Sequence, residues 1–235
     1  MNAPSTTADG SGSMFDRIAR KYDLLNRVNS LGLDQGWRRR TVAWVDPQPG
    51  ERILDLATGT ADLAIALAER AANVHVVGVD PSENMLEIGR GKVSAHELDP
   101  RVKLVAGDAQ ALESADDAFD AITMAFGIRN VPDRVKALKE MCRVLRPSGR
   151  LAILELSEPR NGLMAALARV HVRHVVPLTG ALISGPAEYR YLRESIRAFP
   201  PPEDFASVLV EAGFVDVDYE PLTFGACVLF TAPAP

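Results

Sequence analysis

From Arg52 onward the chain alternates short apolar runs with amphipathic windows of helical spacing, and this alternation limits the fold more than any other feature. Such alternation is the pattern of strands buried on both faces of a parallel sheet with helices crossing over them. Strands are expected at 52–56, 74–79, 102–106, 121–125 and 151–156. Helices are expected at 61–69, 82–93 and 133–145, the last after a start signal at Pro132 and closed by RPSG. Towards the end, PPEDFASVLVEAGF reads as a proline-started helix stopped by Gly213. Residues 214–219 and 227–231 then form an antiparallel pair.

The flanks read differently. Residues 1–13 are rich in Ser, Thr, Gly and Pro, which predicts a flexible tail. Over 14–44 Phe15, Ile18, Tyr22, Leu25 and Val28 recur at helical spacing, SLGLDQG interrupts, and a helix resumes at Trp37. Arg38, Arg39 and Arg40 beside Trp37 read as a solvated helix face or as a contact for an anionic group. Between 157 and 201 the alternation stops. This insertion follows the carboxyl end of the fifth strand, where open α/β sheets bind ligands, and is the expected lid. Its apolar stretch is broken by Arg169, Arg173, two histidines, Pro177 and Gly180, so a spanning helix is not expected, whereas an interfacial helix is compatible with it. The chain therefore divides into a tail and one domain over 14–235, with a helical cap at 14–46 and a lid at 157–201.

Length and composition agree with a single α/β domain: 235 residues, of which 47% are hydrophobic and 24% charged. A formal charge of -5 argues against a general nucleic-acid binder, which needs a basic surface. Cys142 and Cys227 are far apart and outside any CxxC pair, so no zinc site or disulfide framework is expected.

The chemistry begins at ERILDLATGTAD, residues 51–62: a strand, a glycine turn and a helix start. A dinucleotide site wants GxGxxG so that a pyrophosphate can rest on the helix N-terminus, but here Gly59 stands among Ala57, Thr58, Thr60 and Ala61. That disfavours a nicotinamide-dependent oxidoreductase. S-adenosylmethionine carries no phosphate and asks only for one close approach with polar groups around it. Asp80 ends the second strand, where it can accept the ribose hydroxyls, and Asp108 with the Ala109 amide follows the third strand, beside the expected adenine. Asp55 lies beneath the turn, as a brace or a partner for the methionine ammonium. After the fourth strand AFGIRN replaces the (N/D)PP(Y/F/W) tetrapeptide of amino-methylating nucleic-acid enzymes, and neither cysteine follows a proline as a cytosine-C5 nucleophile would.

Three segments, YDLLNRVNSLGLDQGW, FGIRNV and RVLRPSGRLAILELSEP, together resemble the ubiquinone/menaquinone biosynthesis C-methyltransferase family over nearly the whole chain. The resemblance implies a class I S-adenosylmethionine-dependent methyltransferase: a Rossmann-like α/β sheet with a C-terminal antiparallel strand pair, a helical cap and a lid after strand five. It implies methylation of a ring carbon of a polyprenylated quinol, demethylmenaquinol or the corresponding ubiquinone precursor. Carried over by position, the cofactor contacts fall on Thr60, Asp80, Asp108 and Ala109. Three positions depart from the family pattern: Asp34 replaces a histidine, RPSG replaces KPGG, and Ala125 replaces a serine that touches the cofactor.

On that reading the candidate catalytic residues are Arg129, to stabilise a developing phenolate, Asn130, to orient the second ring oxygen, and Tyr22, reaching in from the cap. The proton acceptor is left among water, Glu155, His171 and His174, and Arg129 has an alternative as an ion pair with Asp133. No metal is expected. The expected surroundings are cytoplasmic, with peripheral contact at the inner face of the membrane, and a homodimer is compatible with the reading. Two alternatives stay open: a methyltransferase of another small phenol, and a non-catalytic cofactor-binding module.

Overall fold

The computed structural model describes residues 19, 22–24, 26–27, 30–159 and 186–234. The expected tail and most of the expected lid, with His171 and His174, lie outside these residues. Seven strands form one sheet in the order β3-β2-β1-β4-β5-β7-β6. They are β1 (Arg52–Leu56), β2 (His75–Asp80), β3 (Val102–Ala106), β4 (Phe119–Ala125), β5 (Leu145–Leu156), β6 (Asp218–Leu222) and β7 (Cys227–Pro233). The first five are mutually parallel; β7 runs antiparallel to β5, and β6 antiparallel to β7. The helices are α1 (Leu33–Val45), α2 (Asp62–Arg70), α3 (Glu83–Ala95), α4 (Arg134–Val144), α5 (Pro186–Ala198) and α6 (Pro202–Glu211). Tyr22–Leu24 and Asn26–Arg27 are helical ahead of α1.

Strand side chains alternate between two cores, as a period of two demands. Ile53, Val76, Ala121, Ala152 and Leu154 face one side, against Trp37, Val42 and Val45 of α1, Leu63 and Leu67 of α2 and Leu86 of α3. Leu54, Leu56, Ile122, Met124, Leu151 and Ile153 face the other, against Leu138 and Met141 of α4 and Phe205 and Leu209 of α6. Cys227 is buried in the first core and Cys142 is half-buried, both as free thiols.

Four elements differ from expectation. The helix expected to resume at Trp37 begins at Leu33, inside SLGLDQG, where Gly32 at φ 78 ends the preceding turn. RPSG does not separate α4 from β5; it bulges out of the strand, whose pairing with β4 starts at Leu145 and resumes at Arg150. Residues 214–217 are not strand, because Gly213 at φ 114 turns the chain and the Phe214 amide donates back to the Leu209 carbonyl, closing α6. The strand consequently starts at Asp218. Finally, the stretch read only as insertion contains the helix α5, which packs on the turn after β4.

The chain builds β1 to β3 outward on one side and returns to place β4 beside β1 on the other. Between β1 and β4 the connections diverge, and the carboxyl ends of the strands open a crevice there.

Candidate active site

The turn after β1 is held in an uncommon shape. Ala57, Gly59 and Ala61 all have positive φ, at 50, 54 and 67 degrees, a region costly for residues with a Cβ and open to glycine. Two buried carboxylates hold it. Asp55 accepts from the Thr58 and Thr123 hydroxyls, both at 2.6 Å, which ties the turn to β4. Burial pushes the Asp55 carboxyl up to about 6, against the opposing pull of Thr123, Thr58 and the charge of Arg38. Asp80 accepts from the Gly59 amide and the Ser82 amide, each at 2.9 Å, locking the turn to the end of β2. A Cβ added to Gly59 would lie 3.2 Å from the Met85 methyl and 3.9 Å from the Tyr22 ring, so the glycine keeps a shallow cradle open there.

A cleft open to solvent lies over this turn. It gathers the expected Tyr22, Asp55, Ala57, Gly59, Thr60 and Ala125, and adds Arg38. Asp80 borders it through Gly59. Asp108 and Ala109 do not line it. They sit beyond β3 on the same rim, where the exposed Asp108 carboxylate accepts from the Gln110 amide and side chain. The cradle, the hydroxyls of Thr58 and Thr60, and carboxylates without a phosphate loop fit the donor set expected for S-adenosylmethionine.

The segment ahead of α1 is clamped to this cleft. The Thr60 hydroxyl donates to Asp23 at 2.6 Å, and the Lys92 ammonium bridges Asp23 at 2.6 Å, Asp62 at 2.5 Å and Thr60 at 3.0 Å. Tyr22 is thereby brought beside Gly59. Burial raises its phenol, partly opposed by Asn26, Arg38 and Arg129.

The expected acceptor side, with Arg129 and Asn130, is the 3-10 turn Ile128–Asn130 after β4. It abuts the first turn: a Cβ on Gly127 would fall 2.4 Å from that of Ala57. Arg129 is buried, and its Nη1 donates to Glu155 at 2.7 Å and to the Phe126 carbonyl at 2.6 Å. The expected alternative partner, Asp133, instead caps α4 by accepting from the Lys136 amide. Glu155 also accepts from the backbone amides of Arg129 and Leu156, so its oxygens are committed to holding the turn and it is poorly suited to take a substrate proton. The Arg129 Nε is buried without a hydrogen-bond partner among the described residues. Asn130 receives a hydrogen bond from the Tyr191 hydroxyl of α5 at 3.0 Å. Burial raises the Tyr191 phenol, with Arg129 opposing and Glu155 adding to the effect.

Tyr191 and Arg38 escaped the sequence reading. Of the two readings of Arg38, Arg39 and Arg40, a solvated face fits only Arg39 and Arg40, which are exposed; Arg38 is buried and paired with Asp34 at 2.5 Å. The i, i+4 spacing of Asp34 and Arg38 was the available signal. For Tyr191 it was the helical recurrence of Leu192, Ser195, Ile196 and Phe199 after it. Among the described residues no cluster of three metal-ligating side chains occurs, and no helix is long and apolar enough to cross a membrane.

Solved structures of the same fold include the [4+2]-cyclase SpnF, with a TM-score of 0.72 and 19% identity over 100% of this chain and 99% of that one. A Thermotoga maritima S-adenosylmethionine-dependent methyltransferase matches with a TM-score of 0.67 and 20% identity, over 95% of this chain and 99% of that one. At such identities only the fold is shared. Sequence relatives are nearer. The demethylmenaquinone methyltransferase of Thermus thermophilus is 48% identical over 94% of this chain and 100% of its own length. That of Deinococcus radiodurans is 48% identical over 90% of this chain and 87% of its own. The Geotalea daltonii ubiquinone/menaquinone biosynthesis C-methyltransferase UbiE is 43% identical over 93% of each. The model of the ubiE/COQ5 methyltransferase family matches residues 5–233. With a class I sheet, a phosphate-free glycine cradle and this match from end to end, the chain belongs to the ubiE/COQ5 family of S-adenosylmethionine-dependent methyltransferases.

Proposed function

We propose that the protein methylates a ring carbon of demethylmenaquinol, a polyprenylated naphthoquinol, in respiratory quinone biosynthesis. The observation that carries this reading is the 48% identity, over the full length of the Thermus relative, to a protein of that activity. S-adenosylmethionine, when bound, supplies an electrophilic methyl group on a sulfonium.

The residues of this chain have three tasks. Asp55, Asp80 and the Gly59–Thr60 turn hold the donor's seat, with Tyr22 closing over it. Arg129 offers positive charge and an unpartnered Nε where a quinol oxygen loses its proton, which raises electron density at the adjacent ring carbon. Asn130, fixed by Tyr191, orients the second ring oxygen. A donor bound in that seat would give its methyl to the ring carbon and leave as S-adenosylhomocysteine, with the displaced ring hydrogen passing to water as a proton. Glu155 acts through Arg129 by holding its guanidinium in the turn.

Peripheral contact with a membrane surface belongs to the same reading, since a polyprenyl substrate resides in lipid. Leu31 and Leu33 at the start of α1, and Phe224 in the β6–β7 connection, expose 67%, 43% and 68% of their surface. The Trp37 indole, one helical turn after Leu33, donates to Thr223 beside Phe224, which links the two segments. Methyl-labelled donor, the purified protein and quinone extracts from a strain lacking this step provide the test. The expected result is label in the menaquinone fraction with the mass gain of one methylene. Label in a benzoquinone or a free phenol instead would replace this reading with the alternative acceptor.

A further inference from the structure

Among the described residues that line the cleft, Arg38 is the one cation. It projects from α1 with 9% of its surface exposed, the guanidinium carbon 5.2 Å from the centre of the Phe126 ring. Nη1 donates to Asp34 at 2.5 Å, and Asp34, itself buried, is fixed through its other oxygen by the Ser30 hydroxyl at 2.8 Å. A guanidinium with five donors gives one edge to Asp34 and keeps another for a second anion. The cleft's own acids do not use that edge. Asp55 is bonded to two threonines, and Asp62 to Lys92. A buried cation with one anchored edge, in a ligand cleft, is arranged for a planar anion.

The cofactor has three polar ends: an adenine, a ribose diol and a zwitterionic amino acid. A diol is matched by acceptors and a carboxylate by a cation. We propose that Arg38 binds the carboxylate of the cofactor's amino-acid end, and that Asp34 is a positioning residue that aims the guanidinium. The inference rests on the cofactor and is independent of which quinol is methylated.

The test compares S-adenosylhomocysteine with 5′-methylthioadenosine, which keeps the nucleoside and thioether but lacks the amino-acid end. By titration calorimetry, Arg38→Met should weaken S-adenosylhomocysteine by about 10- to 100-fold, the range for hydrogen bonds between charged groups. Binding of 5′-methylthioadenosine should stay within about twofold of the unaltered protein. Asp34→Asn should weaken S-adenosylhomocysteine by a smaller factor, again without affecting methylthioadenosine. Because Arg38→Met strands the Asp34 charge in the interior, the double variant Arg38→Met/Asp34→Asn removes both charges and repeats the comparison in a chain without that burden. Equal weakening of the two ligands, or unchanged S-adenosylhomocysteine affinity, would overturn the role. If the unaltered protein bound neither ligand, the cofactor assignment would fall and the inference with it, a result distinct from both.

Discussion

Asp55 carries the clearest pH signature in the molecule. Its folded-state pKa stands at about 6 against an ordinary 3.8 because burial disfavours the charge. Between those values the folded chain keeps a proton that the unfolded chain has released, so the contribution of this group is present below about pH 4 and lost as pH rises through about 6. The amount is about 3 kcal/mol. Urea unfolding from pH 4 to 7 should show that loss, and Asp55→Asn should flatten it; an unaltered slope in the variant would remove Asp55 as its source. Arg129 calls for a paired experiment. Arg129→Ala leaves Glu155 buried without its cation, at a cost of about 3–5 kcal/mol, so lost activity alone says little. Arg129→Met/Glu155→Gln should recover much of the stability and none of the methyl transfer, and full turnover by this pair would exclude the phenolate role. Some of this was legible in the sequence. Asp55 and Asp80 were readable because strand ends fix where such side chains fall, whereas the Arg129–Glu155 pair spans 26 residues and two strands, and only the parallel register of β4 and β5 brings it together.

Among the elements, α5 connects the turn after β4 to the C-terminal part of the chain. It packs on the Ile128–Asn130 turn, and its Tyr191 hydroxyl holds the Asn130 carbonyl oxygen, which directs the amide nitrogen the other way. Tyr191→Phe should lower kcat/KM for the quinol about tenfold, the worth of one well-formed hydrogen bond near 1.4 kcal/mol, with S-adenosylhomocysteine affinity unchanged. Equal losses in both measurements would mean that the helix only supports the fold. Element types were legible wherever apolar period and turn residues agreed, as at β1, β3, α2 and α6. Boundaries were lost where a longer-range contact decided them: RPSG reads as a helix-to-strand turn until β4 pairs on both sides of it, and Phe214 reads as strand until its amide closes α6. The sequence left Arg38 undivided from Arg39 and Arg40 for a related reason, since the rotation of α1 is set by Trp37, Val42 and Val45 packing on the sheet.

At the scale of the whole molecule, the sheet supplies a platform that SpnF shares while catalysing a cyclisation, so the fold alone does not choose the reaction. Two turns from neighbouring strands meet at the crevice between β1 and β4. Gly127 sits at φ -107 and ψ -40, a conformation alanine adopts freely, so Gly127→Ala tests distance and not backbone strain. The added methyl would meet Ala57 at 2.4 Å and must drive the turns apart. Turnover should fall by about tenfold or more while the cofactor still binds, and an unchanged kcat would show that the turns have room to spare. Methyl transfer is a short stroke between two seats. On the proposed reaction, a single hydrogen at residue 127, where any other amino acid carries carbon, is the shim that sets its length.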